Sequence, residues 1–206
     1  MAQDEREKEL LKAVRQNDAG AVKRLLDAGC PANVYDMDDN SAVTPLHYAV
    51  GKNPLIATLL LGAGAKADVA DDGGFTPLMQ AVAEKDYVLA RMLVAGGADI
   101  NWQEAAGKIT ALHAAVFAAN RDDDLERVRF ALMLGADGGL EMRWQMHEGL
   151  TPRALAVLLQ SEAGDIVGVL DRPDLPERRL VQAARTAFRQ GIMGRAHDDK
   201  KRYALK

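Results

Sequence analysis

Apolar residues recur along this chain in pairs of short helical patterns, and polar, glycine-containing stretches separate the pairs. Leucine, valine and alanine return at intervals of three and four residues within each pattern, which is typical of a helix with one buried stripe. Two helices this short cannot bury their own apolar faces, so successive pairs must stack on one another. The pattern predicts an all-α solenoid. Each pair ends at a glycine: Gly29, Gly64, Gly97 and Gly135.

Four of the pairs open on a similar motif. The segments read VTPLHYAV at 43–50, FTPLMQAV at 75–82, ITALHAAV at 109–116 and LTPRALAV at 150–157. A threonine before a proline suits a helix start, because its hydroxyl can cap an amide and proline is tolerated at the first helical position. We therefore expect structural roles for the threonines at these starts, and left-handed C-caps at the four glycines. The threonines are Thr44, Thr76, Thr110 and Thr151.

These segments resemble the ankyrin repeat family. The family core T-P-L-H-x-A stands intact at 44–49 and nearly so at 76–81 and 110–115, and the resemblance covers about residues 8–171. It implies stacked helix-turn-helix pairs with β-hairpin-like fingers and a concave face. It also implies that His47 and His113 are structural, with rings that bridge neighbouring backbone groups.

The repeats give a domain organisation. We expect an array over 5–171, a capping helix over 172–195 that closes its end, and a flexible tail over 196–206. Leu180, Val181, Ala184 and Phe188 mark the apolar stripe of the expected helix. The expected units of the array cover about 5–33, 34–68, 69–101, 102–137 and 138–171.

Composition narrows the class of protein. The 206 residues include 35 alanines and ten aromatic residues, which favours close helix contacts over a β-sandwich. No apolar run approaches a membrane helix, and the acidic start MAQDEREKEL lacks the apolar core of a secretory signal. Cys30 is the single cysteine, which excludes an intrachain disulfide and a cysteine-cluster metal site. We expect a cytoplasmic protein, bacterial in composition, monomeric when alone, and without cofactor or metal.

Charge is unevenly distributed. The chain carries a net charge of −4, yet residues 172–206 hold ten basic and four acidic side chains, and residues 1–171 hold 16 basic and 26 acidic ones. An acidic body with a basic end gives information about the partners of a protein and not about its fold.

Departures from the repeat length indicate where a partner binds. Two fingers, 33–43 and 138–150, are enlarged, and the turn between helices at 117–125 is longer by about four residues. The second enlarged finger carries residue types that are common at interface centres. It forms either a partner surface or a plug that folds back on its own finger. These residues are Met142, Arg143, Trp144, Met146 and His147.

Other candidates line the expected concave side. Trp102 either packs against the neighbouring finger or faces a partner. Two sets of positions form either an apolar floor or half-buried packing between fingers. The first is the residue before each threonine (Val43, Phe75, Ile109, Leu150), and the second is the fourth residue after each threonine, which follows the motif histidine where that histidine is present (Tyr48, Gln80, Ala114, Leu155). Carboxylates concentrate on the fingers, as turn residues or as attraction for a basic partner. They are Asp36, Asp38, Asp39, Asp71, Asp72, Glu104 and Glu148.

The sequence contains no candidate catalytic motif. His147 and His197 are isolated, no histidine, cysteine or carboxylate set has metal-ligand spacing, and the glycine-containing segments lack the order of a phosphate loop. The sequence favours a non-catalytic module that clasps one protein partner, for example a cytoplasmic immunity protein that neutralises a basic toxin. The alternatives are an adaptor or host-directed effector, or binding of nucleic acid or an anionic surface through the basic C-terminal segment.

Overall fold

The computed structural model describes residues 3–36, 42–103, 107–122, 125–144, 147–159, 166–167 and 170. These residues are mostly helical, with one short hairpin. The helices are α1 (Gln3–Arg15), α2 (Ala19–Asp27), α3 (Pro45–Ala49), α4 (Pro54–Gly62), α5 (Pro77–Ala83), α6 (Tyr87–Ala95), α7 (Ala111–Asp122), α8 (Glu126–Met133) and α9 (Pro152–Leu158), and the strands are β1 (Met142–Trp144) and β2 (His147–Leu150).

The helices form two layers. The first helices of the pairs (α1, α3, α5, α7, α9) each pack on the next, and the second helices α2, α4 and α6 do the same. We call each pair a unit, the contact between two successive units a joint, and the segments between units (30–43, 65–75, 98–109, 136–150) the fingers. This layered stack is the all-α solenoid that the repeat pattern predicts, with the stacked helix pairs that the resemblance to ankyrin repeats implies.

Polar side chains start the helices. Thr76 Oγ1 accepts from the Met79 amide at 3.3 Å, and Thr151 Oγ1 accepts from the Ala154 amide at 3.2 Å. The second helices are capped by other side chains: Asp18 caps α2, Asn53 caps α4 and Asp86 caps α6. Each cap satisfies an amide that has no partner within its own helix, which is why the short helices begin at these residues.

The glycines that end the second helices have the backbone conformation predicted for them. Their φ angles are 81°, 83°, 98° and 94° for Gly29, Gly64, Gly97 and Gly135. Such angles are costly for residues with a Cβ, so these glycines allow the chain to leave the helix and enter a finger.

The core is continuous through the stack and is built from leucine and alanine. Leu46, Leu78 and Leu112 occupy the same position in three successive first helices, and each is at most 1% exposed. Ala49, Ala81 and Ala115 are buried beside them at equivalent positions. The small side chains let the first helices approach closely, so the leucines contact the neighbouring units.

The extra residues near position 120 are helical, whereas the sequence predicts a longer turn there. The sequence predicts a longer turn at 117–125, but residues 117–122 continue α7, which has 12 residues where α5 has seven. Alanines at 118 and 119 are strong helix formers, and both are buried, so the extra residues prolong the helix.

The fingers carry little regular structure. Asp36 and Val43 form an isolated antiparallel bridge in the first finger. The fourth finger holds the β1–β2 hairpin, in which Met142 pairs with Leu150 and Trp144 with His147, with an irregularity between them.

The predicted capping helix over 172–195 and the tail lie outside the described residues. In the part of the chain that is described, no helix combines the length and the apolar character needed to cross a membrane.

We expect Leu112→Ala to lower the free energy of unfolding by about 2–5 kcal/mol, because it leaves a cavity where α5, α7 and α9 meet. Chemical denaturation measures the change. Val88→Ala is the matched control, since Val88 is 58% exposed and its truncation should cost less than about 0.5 kcal/mol. Equal losses in the two variants would contradict the assignment of the core.

Candidate protein-binding surface

Buried histidines connect first helices to the next finger. His47 Nδ1 lies 3.1 Å from the Thr44 amide and 2.8 Å from Thr44 Oγ1, while His47 Nε2 lies 3.0 Å from the carbonyl of Phe75. Because a carbonyl can only accept, Nε2 carries the proton and Nδ1 accepts from Thr44. The neutral ring thus joins its own helix start to the end of the second finger.

His113 makes the same bridge two units further along. Its Nδ1 lies 2.8 Å from Thr110 Oγ1, and its Nε2 lies 2.9 Å from the carbonyl of Leu150 at the end of β2. Burial lowers the pKa of His113 to about 4, although the Leu150 carbonyl acts in the opposite direction. Burial also lowers the pKa of His47, against the Phe75 carbonyl and Asp71. Both rings are held neutral at pH 7.

A buried carboxylate anchors the first finger. Asp36 is 2% exposed and forms an ion pair with Arg15 of α1. Tyr48 Oη donates to Asp36 Oδ2 at 2.6 Å, and the Arg15 guanidinium lies 4.6 Å from the centre of the Tyr48 ring. These contacts satisfy a charge that would be costly to bury alone, and they fix Tyr48 at the base of the finger.

Asp71 shapes the second finger. Its Oδ1 accepts from the amides of Gly73 and Phe75, both at 2.9 Å, and its own amide donates to the Phe75 carbonyl. The carboxylate therefore closes the finger turn. Of the two roles that the sequence allows for the finger carboxylates, Asp71 has that of a turn residue. Asp72 is exposed beside it, and Phe75 is half-buried against the core.

The third and fourth fingers are connected to each other. Gln103 Nε2 donates to the carbonyls of Lys108 and Glu141, both at 2.8 Å, and the Arg143 amide donates to the Gly107 carbonyl at 2.7 Å. Trp102 is half-buried against the core beside this connection. The backbone of the fourth finger is thereby held against the third.

The structure places only some of the predicted surface residues on a surface. Met142 is 1% exposed and belongs to the core, because the pairing of β1 with β2 turns it inward opposite the buried Leu150. Ala114 and Leu155 are also buried, so they do not extend an apolar floor. Tyr48, Phe75 and Trp102 are half-buried, and Asp72 and Arg143 are exposed.

Several predicted residues cannot be placed. Asp38, Asp39, Glu104 and Met146 lie outside the described residues. Trp144 and His147 lie in the hairpin strands, but their side chains are outside what the structure describes.

The four fingers together are strongly acidic. Their segments contain eleven carboxylates and three basic side chains, Lys66, Lys108 and Arg143. Tyr35 adds an aromatic ring, 50% exposed, next to the anchored Asp36. The finger side therefore combines negative charge with aromatic rings that hydrogen bonds and packing hold in place.

The described residues were compared with the requirements of a metal site and of a thiol nucleophile. Among them, no group of three or more histidine, cysteine or carboxylate side chains is arranged to hold a metal ion. Cys30 is buried, and burial together with Glu7 raises the pKa of its thiol against the effect of Arg6. A buried thiol with a raised pKa is a poor nucleophile.

Sequence reasoning missed two residues that fix the fingers. Arg15 lies at the end of α1 with no motif around it, and its link to Asp36 and Tyr48 crosses more than 20 residues. Gln103 likewise acts through its contact with Glu141, 38 residues away. Neither contact has a signal in a single sequence.

Stacked helix pairs with cross-joint histidine bridges and projecting fingers define a repeat protein of the solenoid class. The chain contains ankyrin repeats: the family model described as ankyrin repeats, in three copies, matches residues 10–104.

Similar proteins come from distant organisms. The chain is 30% identical over 146 residues to the nuclear factor NF-kappa-B p105 subunit of Gallus gallus, which is 70% of this chain and 14% of that protein. It is 36% identical over 87 residues to a protein of Treponema pallidum (strain Nichols) whose name describes it as ankyrin repeat-containing, or 42% of this chain and 29% of that protein. It is also 31% identical over 114 residues to a probable serine/threonine-protein kinase of Dictyostelium discoideum, or 52% of this chain and 11% of that protein. The chain thus spans less than a third of each relative.

We expect the neutral histidine bridges to make stability fall in mild acid. The unfolded chain takes up protons near pH 6.5, whereas folded His113 resists protonation down to about 4. The stabilisation from His113 is therefore complete above about pH 6.5. It is lost as the pH falls from about 6.5 to about 4, by about 1.4 kcal/mol per pH unit.

Urea denaturation between about pH 7.5 and pH 4.5 measures this slope. His113→Gln should flatten the slope, because glutamine does not titrate. It should also lower stability at neutral pH, because glutamine has no acceptor at the position where His113 Nδ1 contacts Thr110. His197→Gln, a change in the C-terminal segment, is the control and should alter neither quantity. An unchanged slope in His113→Gln would contradict the assignment of the neutral ring.

Proposed function

We propose that this chain is a binding module that holds one protein partner against its fingers and its layer of first helices, and that the partner presents a basic surface. Ankyrin repeats generally mediate protein–protein interactions and are generally non-catalytic. The observation that carries the finer proposal is the excess of carboxylates in the finger sequences, eleven against three basic side chains, together with the half-buried rings of Tyr48, Phe75 and Trp102.

The fixed geometry of the fingers supports this proposal. Asp71 closes its turn, Gln103 joins two fingers, and the Arg15–Asp36 pair fixes Tyr48. A surface whose side chains are already ordered loses little entropy when a partner binds, so more of its contact energy appears as affinity. Acidic groups around such a surface would accelerate the encounter with a basic partner.

Within this function we propose the role of a neutraliser in the cytoplasm, such as an immunity protein that covers a basic toxin. The support is chemical: a stoichiometric inhibitor needs one rigid, charged and aromatic face, and the fingers have that composition. A role as an adaptor or effector would use the same face.

A second candidate function rests on the charge of residues 172–206, which carry ten basic and four acidic side chains. This segment could bind nucleic acid or another anionic surface. Changing Lys200, Lys201 and Arg202 together to Gln should weaken such binding and leave the finger surface intact. Loss of the biological partner in this variant would favour the second candidate.

The first experiment captures the partner with a photo-crosslinking amino acid at position 102, and at position 88 on α6 as the control. The captured protein is then purified and its affinity for the intact chain is measured. Crosslinking from position 102 but not from position 88 supports the finger side as the binding face. The reverse result would place the partner on the second helices.

We expect Trp102→Ala to weaken binding of this partner by about 2 kcal/mol, chiefly through faster dissociation, because a half-buried indole is typical of an interface anchor. Surface plasmon resonance separates the two rates. Val88→Ala should leave both rates unchanged. If Val88→Ala weakens binding and Trp102→Ala does not, the finger surface is not the interface.

We expect Asp72→Lys to slow association several-fold while dissociation changes little, because Asp72 is exposed and attracts the partner before contact. The effect should shrink as salt rises above about 0.15 M. Asp71 is unsuitable for this test, since its carboxylate closes the turn. Glu5→Lys in α1 makes the same charge change away from the fingers and should have a much smaller effect. A salt-independent result would contradict attraction of a basic partner.

A further inference from the structure

A polar side chain follows each of three turn glycines at the same distance. Asn33, Asp68 and Asn101 lie four residues after Gly29, Gly64 and Gly97. At this position each side chain faces the turn of the next unit. The three residues therefore serve as equivalent contacts at three successive joints.

The two asparagines each bridge a joint with two hydrogen bonds. Asn33 Nδ2 donates to the Gly64 carbonyl at 2.9 Å, and its Oδ1 accepts from the Lys66 amide at 2.7 Å. Asn101 repeats the pattern with the Gly135 carbonyl at 3.3 Å and the Asp137 amide at 2.7 Å. The side-chain amide fits because it supplies one donor and one acceptor to two backbone groups of the next unit.

Asp68 makes only the accepting half of this bridge. Its two oxygens accept from the Asp99 amide at 3.1 and 3.3 Å. An ionised carboxylate has no hydrogen to give to the Gly97 carbonyl, which is the equivalent of Gly64 and Gly135. Burial raises the pKa of Asp68 and the nearby Asp99 carboxylate raises it further, while the hydrogen bond from the Asp99 amide lowers it.

We propose that the joint between the α3–α4 and α5–α6 units is an acid-tightened joint, in which Asp68 gains its second bridge, to the Gly97 carbonyl, only when it is protonated. The missing bridge makes this joint looser at neutral pH than the joints with Asn33 and Asn101. It is a conformational device within the array and is independent of the proposed partner.

The sign of the effect follows from the environment of Asp68. A carboxyl whose pKa is higher in the folded chain than in the unfolded chain holds its proton better when folded, so its contribution to stability grows as the pH falls through the folded pKa. Among the described residues, the charged group that acts on Asp68 is Asp99. The same joint contains His47, with Asp71 near it, and protonation of that ring acts in the opposite direction. Because His47 is present in both proteins that the test compares, its contribution to the pH dependence cancels.

The test compares Asp68→Asn with the unchanged chain at about pH 7.5 and about pH 4.5. At neutral pH, Asp68→Asn should raise the Tm by about 2–4 °C, the shift expected from one added hydrogen bond in a chain of this length. Hydrogen exchange at the Asp99 amide should slow by several-fold. Both gains should shrink in acid, where Asp68 itself becomes a donor.

Two further variants make the test specific. Asn101→Asp should convert the next joint into the same type, with a lower Tm at neutral pH that recovers in part in acid. Asp99→Asn removes the facing charge and adds no donor to position 68, so it should give only a small part of the Asp68→Asn gain.

Three results would overturn the proposal. The first is a neutral or destabilising Asp68→Asn, and the second is a gain that persists unchanged in acid. The third is a full gain from Asp99→Asn, which would assign the looseness to repulsion between carboxylates instead of a missing donor.

Discussion

The structure depends on one constraint: none of its helix pairs can bury its apolar side by itself. Leu46, Leu78 and Leu112 are excluded from water only because the next unit covers them. Folding and stacking are therefore the same event, and the polar groups that each unit brings to a joint must find partners across it. His47, His113, Asn33 and Asn101 all satisfy backbone groups of a neighbouring unit.

The same cross-joint contacts determine where the fingers lie. His47 holds the end of the second finger and His113 holds the end of the fourth, in each case through a backbone carbonyl. Since these bonds involve the main chain, the finger side chains can vary without loss of the scaffold. This division explains how a repetitive helical body can carry fingers as different as the Asp71 turn and the β1–β2 hairpin.

The repeat itself could be predicted from the sequence, because its signals are local. Threonine caps, turn glycines and leucine spacing act within about ten residues, and the structure has the helices and left-handed turns that they predict. Contacts between units could not be read in this way. Arg127 occupies the position of Ile56 and Leu89 in the earlier units and is 1% exposed, although a charged residue near a helix start suggests the surface. The burial of Met142 also depends on a contact that is distant in sequence, because the pairing of β1 with β2 turns this side chain inward.

The extra residues of α7 also change the outline of the molecule. At about 1.5 Å per residue, α7 is about 18 Å long and α5 about 10 Å, so α7 projects roughly one and a half turns further at the edge away from the fingers. That edge is consequently stepped. A straight helix or strand from another molecule could run along the inter-helix turns of the first three units, but it would collide with the end of α7 at the fourth. The step ends the platform formed by the first three units, which disfavours long, continuous partners along this edge.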